Sequence, residues 1–398
     1  MLMSKATEIY VLGGARTPFG TYGGGLKDVN ATQLGVIAAQ GAIERVGVPG
    51  SALDLAVVGN VIATAPDAAY TARHIALGAG LDEAAPALTV NRLCGSGLQA
   101  VISAAQALIL GDGKAALAGG TENMSQSPYL IRDARWGIKS GTPEMTDSLL
   151  EVLTDLGCGL GMGMTAENLA MQYQIDRDAQ DAYAVLSHQR AQAARASGRF
   201  AHEIVPVPVP TKRGIVAFDQ DEHIRPETSP ESLARLKPSF KREEGTVTAG
   251  NASGINDGAA MVVLATGDFV ATHGIKPLAR IVSYGVAGVD PKIMGIGPVP
   301  ASKIALDRAG LEIDDVGLVE INEAFASQYL AVEESLGLVR ERTNVNGGAI
   351  ALGHPVGASG GRLLLTLATE LRIRQIQFGL ASLCIGGGQG IAIIIEAL

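Results

Sequence analysis

Short runs of β-branched and aliphatic residues alternate with alanine-rich stretches whose apolar positions recur every three or four residues, and they do so at both ends of the chain. Residues 8–12 and 55–63 read as buried strands, and 32–46 and 97–111 as helices. Asp112 and Gly113 end the second helix, and a strand follows at 115–119. The same order returns near the C-terminus. There Gly357-Ala358-Ser359-Gly360 leads into a helix at about 361–371, and a strand at 378–384 ends on Cys384. Alternation of this kind predicts an α/β fold, and its return predicts two similar halves.

The middle of the chain breaks the pattern and reads as an insertion. Residues 122–250 hold the one tryptophan, Trp136, with several prolines and more charge. Thr165-Ala166-Glu167 and Asp176-Arg177-Asp178 look like helix starts, and Gly198 stops a long alanine-rich helix on which His188 is expected at the surface. Residues 206–250, rich in Pro, Gly and Arg, are predicted to be mostly extended loop. A structured loop of that length is often functional.

Composition narrows the field. A chain of 398 residues is too long for one small core. Its apolar share is high at 47%, yet no run of about 20 uninterrupted apolar residues occurs and residues 1–20 lack a signal-peptide core before Arg16, so a soluble, cytoplasmic protein is expected. Net charge −9 argues against nucleic acid or an anionic membrane as partner. Three cysteines, an odd number, point to free thiols in a reducing compartment. Cys-x-x-Cys and His-Glu-x-x-His spacings are missing, so no metal is expected. Gly159-x-Gly161-x-Gly163 follows no hydrophobic strand, which removes a dinucleotide fingerprint.

Candidate chemistry concentrates in two cysteines far apart in sequence. Cys94 stands in Asn91-Arg92-Leu93-Cys94-Gly95-Ser96-Gly97, and Cys384 in Leu383-Cys384-Ile385-Gly386-Gly387-Gly388. Most cysteines simply pack as small hydrophobes. Cys-Gly-Ser-Gly directly before a helix does more, because unpaired amides and the helix dipole favour an anion there. After Cys384, three glycines permit a nest of N–H donors. His354, in Gly353-His354-Pro355, is flanked by small residues with no neighbouring charge and is the candidate proton carrier. Asn322-Glu323-Ala324-Phe325 follows an apolar run and so lies at a strand end, where α/β proteins place ligands. A helix cap by Asn322 is the alternative, and local sequence leaves both open.

Taken together, these motifs resemble the thiolases. Gly119-Gly120-Thr121-Glu122-Asn123-Met124-Ser125, Thr248 to Gly254 and Met294 to Pro298 extend the resemblance over essentially the whole chain, toward the short-chain acetoacetyl-CoA type and bacterial broad-range 3-ketothiolases. The resemblance implies a five-layered α-β-α-β-α fold: an N-terminal half from 1–121 plus 251–275, an inserted loop domain at 122–250 that binds coenzyme A, and a C-terminal half at 276–398. It implies ping-pong chemistry on acetyl-CoA and short 3-ketoacyl-CoA substrates, with no permanently bound cofactor. His354 would take the proton of Cys94, whose thiolate carries the acyl group, and Cys384 would move the α-proton. The amides of Cys94 and Gly386 would form one oxyanion hole, and His354 with a water held by Asn322 the other. Pantetheine would pass Ala249, Gly250 and Ser253, the nucleotide would meet Arg225, Ser232 and Leu236, and Met162, Met294 and Phe325 would line the acyl pocket. A homotetramer using residues 124–142 is implied as well. One departure stands out: where such thiolases commonly carry His-Met-Gly, this chain has Gly161-Met162-Gly163. Cys158, nearby, is expected to be a packing residue.

Overall fold

The computed structural model describes residues 8–212 and 214–398. In the N-terminal part the chain forms β1 (Ile9–Arg16), α1 (Ala31–Val46), β2 (Leu55–Gly59), α2 (Thr71–Gly78), β3 (Ala87–Val90), α3 (Ser96–Leu110) and β4 (Ala115–Asn123). Helices α4 (Met162–Gln172) and α5 (Arg177–Ala196) precede β5 (Asn256–Thr266). The C-terminal part adds β6 (Ala279–Gly288), α6 (Pro298–Ala309), β7 (Leu318–Ile321), α7 (Ala326–Leu336), α8 (Ser359–Arg374), β8 (Phe378–Ile385) and β9 (Gln389–Ala397).

Strand β2 stops short of the expected 63 because Val61 and Ile62 turn their amides away from the ladder to the carboxylate of Glu122. Strand β4 runs past the expected 119, since its ladder with β5 continues to the pair Asn123 and Asp257. Helix α1 starts at a capping box between Asn30 and Gln33 and ends at Gly47 with φ +79°, a conformation glycine adopts without Cβ strain.

Nine of these strands, with the short Gly20–Thr21, make one ten-stranded sheet in the order β7-β8-β9-β6-β1-β5-β4-β2-β3. The two halves join where β1 meets β6 at Tyr10–Arg280 and Val11–Ala279. Each half repeats a strand, helix, strand, strand unit, β2-α3-β4-β5 and β7-α8-β8-β9, with matching parallel and antiparallel pairings. The expected duplication is therefore present as topology.

Side chains alternate between two buried faces, which is why the strands read as continuous apolar runs. Ile391, Ile393 and Ile395 of β9 and Val262 and Leu264 of β5 turn inward onto α3 and α8. Met261 and Val263 turn outward onto α1 and α2, and Ile394 turns outward onto the α6 and α7 side. The layers are thus helices, sheet, the central pair α3 and α8, sheet, helices. Helix α3 is apolar enough over Leu93–Leu110 to cross a membrane, a consequence of packing between two sheets.

The central helices touch at their N-termini. A Cβ on Gly97 would lie 2.8 Å from the Gly357 carbonyl, and one on Gly360 would lie 2.2 Å from the Leu98 amide. Glycine at both positions lets the backbones meet, and this contact brings the Cys94 turn to the His354 loop.

Residues 124–255 leave the sheet between the adjacent strands β4 and β5, at the point where the C-terminal half has only the Gly386–Gly388 turn. The segment 206–250 contains a hairpin of Val207–Thr211 with Gly214–Phe218 and a one-turn helix, Pro230–Ala234. His188 is not at the surface as expected. Helix α5 buries a polar face, and on it His188 Nδ1 accepts from the Arg225 amide at 3.2 Å, while Tyr183 and Ser187 donate to Glu323.

Candidate active site

The turn before α3 holds Cys94 by a chain of short hydrogen bonds. Leu93 has φ +47°, a left-handed conformation that costs a branched residue roughly 1–2 kcal/mol. Ser96 fixes it: its Oγ donates to the Leu93 carbonyl at 2.6 Å and accepts from the Arg92 amide at 2.9 Å, while Asn91 Oδ1 accepts from the Leu93 amide. The Arg92 guanidinium donates to Gln389 Oε1 at 3.1 Å, which ties this turn to the start of β9. Cys94 is half-buried, and the nearby Gly386 amide favours its thiolate. Exclusion of water pushes the thiol up to about 11 against that donor, so the resting sulfur is protonated.

Cys384 is buried near the end of β8, and burial together with the Cys94 sulfur pushes its thiol well above the ordinary range. Around it pack Met162, Met294, Phe325, Val247 and Ala252, an apolar cluster. Phe240 meets Phe325 edge-on at 6.1 Å between centroids.

His354 follows Gly353, whose φ of +102° and contact with Asn256 leave no room for a Cβ. Asn256 Oδ1 accepts from the His354 amide at 3.0 Å. The ring is set from the other side by Ser359, in the first turn of α8: His354 Nδ1 lies 2.6 Å from Ser359 Oγ, whose own proton goes to the Pro355 carbonyl at 3.0 Å. With that proton used, Nδ1–H must donate, and this assigns the lone pair to Nε2. Nε2 lies 3.3 Å from Asn322 Nδ2. Burial and the Arg362 guanidinium lower the imidazole to about 3, so it rests neutral and able to accept a proton.

Asn322 does not cap the following helix. Phe325 occupies the N-cap of α7 with no side-chain bond, and Asn322 Oδ1 is buried without a partner. Of the two readings open from sequence, the geometry favours an acceptor facing the site.

The remaining sequence candidates lie on the inserted segment. Leu236 and Gly250 are in contact, since a Cβ on Gly250 would lie 2.6 Å from Leu236 Cδ1. The Ser253 amide donates to the Ala324 carbonyl, and Ala252 pairs with Phe325, so this end of the segment adjoins the Cys384 cluster. Arg225, Ser232 and Ala249 are exposed, and among the described contacts none ties Arg225 or Ser232 to the catalytic groups. Ser232 is engaged locally in a capping box with Ser229. Cys158 is free and half-buried, its sulfur 3.8 Å from the Asp155 carbonyl.

Sequence reasoning missed Ser359, Asn256 and Glu122. Ser359 was visible only as part of a helix start, and nothing local marks Asn256 as the partner of the His354 amide or Glu122 as the partner of the Gly357 amide in the loop that follows it.

Comparison with known proteins agrees with this architecture. The family model "Thiolase, N-terminal domain" matches residues 9–268, and "Thiolase, C-terminal domain" matches 275–397. The chain is 51% identical over 396 residues to a human mitochondrial 3-ketoacyl-CoA thiolase, covering 99% of this chain and 100% of the relative. It is 48% identical to an acetyl-CoA acetyltransferase of Syntrophomonas wolfei, covering 98% and 99% of the two chains. A crystal structure of the human mitochondrial 3-ketoacyl-CoA thiolase in complex with CoA superposes with a TM-score of 0.95 at 50% identity, over 99% of this chain and 98% of that one.

Proposed function

Because the chain belongs to the thiolase family, we propose that it is an acyltransferase that reversibly condenses two acetyl-CoA to acetoacetyl-CoA and CoA, or cleaves short 3-ketoacyl-CoA with CoA, through an acyl group on Cys94. The observation that carries the assignment to residues is the nearness of Cys94 to Cys384 and to the Gly386 amide, with Val356 of the His354 loop in one apolar cluster with Cys94 and Asn322 Nδ2 3.3 Å from His354 Nε2.

In the cleavage direction the Cys94 sulfur bonds to C3 of the 3-ketoacyl-CoA while its proton passes to His354 Nε2. A free ion pair is unfavourable between a thiol near 11 and an imidazole near 3, so proton transfer accompanies sulfur–carbon bond formation. The developing oxyanion is stabilised by the amides of Cys94 and Gly386. The C2–C3 bond then breaks, its electron pair passes to C2 as the acetyl-CoA enolate, and Cys384 protonates that carbon. His354 and a water held by Asn322 Oδ1 stabilise the enolate oxygen. Acetyl-CoA leaves, the CoA thiol attacks the acyl-Cys94 thioester as its proton passes to the Cys384 thiolate, and collapse expels the Cys94 sulfur, which takes back the proton held on His354 Nε2, so that an acyl-CoA two carbons shorter departs. Condensation is the reverse.

The contacts from Leu236 through Gly250 to Ser253 and on to the Cys384 cluster, with Arg225 and Ser232 exposed on the same segment, support a path for coenzyme A along it. Exposed Tyr129, Ile131, Trp136 and Ile138 support assembly to a homotetramer through residues 124–142, and three free cysteines support a reducing, cytoplasmic setting.

Purified protein incubated with acetyl-CoA should gain one acetyl group at Cys94 by mass spectrometry and should cleave acetoacetyl-CoA in the presence of CoA. Neither event would leave a silent acyl-CoA-binding protein. Specificity constants across 3-ketoacyl-CoAs of increasing length then fix the substrate range.

A further inference from the structure

The two halves of the sheet set up a correspondence around the site. Gly59, the last residue of β2, pairs with Gly120, and Ile321, the last of β7, pairs with Ser382. Asn60 and Asn322 come next and occupy equivalent places. Two residues beyond the strand partners stand Glu122 in one half and Cys384 in the other. The thiol that moves a proton in the C-terminal half thus has a buried carboxyl as its counterpart.

Glu122 is wholly buried, and its oxygens are fully used. Oε1 accepts from Asn60 Nδ2 and the Ile62 amide, both at 3.1 Å, and Oε2 accepts from the Val61 amide at 3.1 Å and the Gly357 amide at 3.0 Å. Gly357 lies between His354 and α8, and its approach is tight: a Cβ there would sit 2.7 Å from Glu122 Oε2, and a Cβ on Gly120 would sit 1.9 Å from the Gly357 carbonyl. Ile62, Val356 and Cys94 share one apolar cluster. One carboxyl therefore grips both the loop that carries His354 and the loop that packs on Cys94, and these loops belong to different halves.

We propose that Glu122 is a positioning residue: as an acceptor shared by Asn60, Val61, Ile62 and Gly357, it fixes the His354–Gly357 loop against the Cys94 turn and acts on the reaction through His354 and Cys94. This rests on the roles assigned to those two residues above. Burial, with Asp257 behind it, pushes the Glu122 carboxyl up to about 8 against the donors from Ile62, Val61 and Gly357, and once ionised its charge reaches Cys94 and disfavours the thiolate. The other titratable groups at the site are Cys384 and His354, with Arg362 beyond His354 and Arg92 engaged by Gln389.

The test compares Glu122→Gln, which removes the charge, with Glu122→Asp, which keeps it but shortens the reach. Both should fold by circular dichroism and lose about 10- to 100-fold in kcat for acetoacetyl-CoA thiolysis, the range expected for misplaced catalytic groups, with KM within about threefold. Only Glu122→Gln should move the pH titration of Cys94 alkylation by iodoacetamide to lower pH. A kcat for Glu122→Gln within about threefold of the parent overturns the proposal. So does a loss of activity that tracks melting temperature while neither variant moves the Cys94 titration. If Glu122→Gln does not fold, Glu122→Asp decides alone: lowered kcat at unchanged KM supports the role, and unchanged kcat overturns it. Acetylation of Cys94 in the parent protein is the control, and its failure overturns the underlying assignment together with this one.

Discussion

Asn322 Nδ2 lies 3.3 Å from His354 Nε2, and Asn322 Oδ1 is buried with no partner. A buried amide with one unsatisfied acceptor costs roughly 1–3 kcal/mol unless something else meets it, so its retention beside the imidazole points to a role in the reaction. Asn322→Ala should lower kcat for thiolysis by about 100-fold, as for loss of one oxyanion donor, with KM little changed. Steady-state kinetics on acetoacetyl-CoA checks this, and a loss of less than threefold would return Asn322 to a purely structural place.

The resting state of the nucleophile has a pH signature. Cys94 is raised to about 11 and stays a thiol below that pH, and His354 is lowered to about 3 and stays neutral above it. Neither group changes charge between about pH 5 and 9, windows set by these two values. The rate of Cys94 acetylation by acetyl-CoA should therefore show no inflection near 6.5, the ordinary histidine value. Alkylation of the free enzyme by iodoacetamide should rise steadily with pH up to about 10. A plateau at pH 8 to 9 would show a Cys94–His354 ion pair already formed.

How much of this was legible in the chain follows from how local each signal is. Cys94 and Cys384 announce themselves, because glycines beside a cysteine are unusual for packing alone. Gly97 suggested an amide cradle and Gly360 a helix start, yet their further job, letting α3 and α8 touch, depends on a partner more than 250 residues away and leaves no local mark. His188 misled for a related reason. Helix α5 looks polar, so a surface histidine was the natural expectation, but Glu323, Asn251 and Arg225 supply partners that make a polar face buriable. Glu122 reads as one residue of a strand end, and only the sheet register shows that it stands where Cys384 stands in the other half.

The ion pair of Arg362 with Glu320 links the elements that carry the catalytic polar groups. Arg362 lies one turn beyond Ser359 in α8, and Glu320 lies two residues before Asn322. Their 2.9 Å contact is almost wholly buried, with Arg362 Nε and Nη2 unpartnered. Burial pushes the Glu320 carboxyl up to about 8, so it can neutralise itself if the arginine is lost, whereas a guanidinium cannot. Glu320→Leu should therefore cost about 3–5 kcal/mol and Arg362→Met distinctly less. Urea denaturation of both variants tests the order, and the reverse order would contradict it.

Gly161 offers a gain of function. It is the N-cap of α4, with φ −69° and ψ 153°, a conformation any residue adopts. A Cβ placed there meets nothing nearer than the Leu153 carbonyl at 3.7 Å, ordinary van der Waals contact. Thus neither the backbone nor packing demands glycine, and a side chain at 161 would stand directly before Met162, which packs against the Cys384 cluster. Gly161→His should fold with stability unchanged or raised by about 0.4–1 kcal/mol, because it reduces the freedom of the unfolded chain. If an imidazole at this place contacts pantetheine, as the commoner His-Met-Gly pattern implies, KM for coenzyme A in thiolysis should fall severalfold while kcat stays within about twofold. A KM unchanged in a stably folded Gly161→His protein would show that pantetheine takes another route past α4, and that this chain compensates for the missing imidazole along the segment from Leu236 to Ser253.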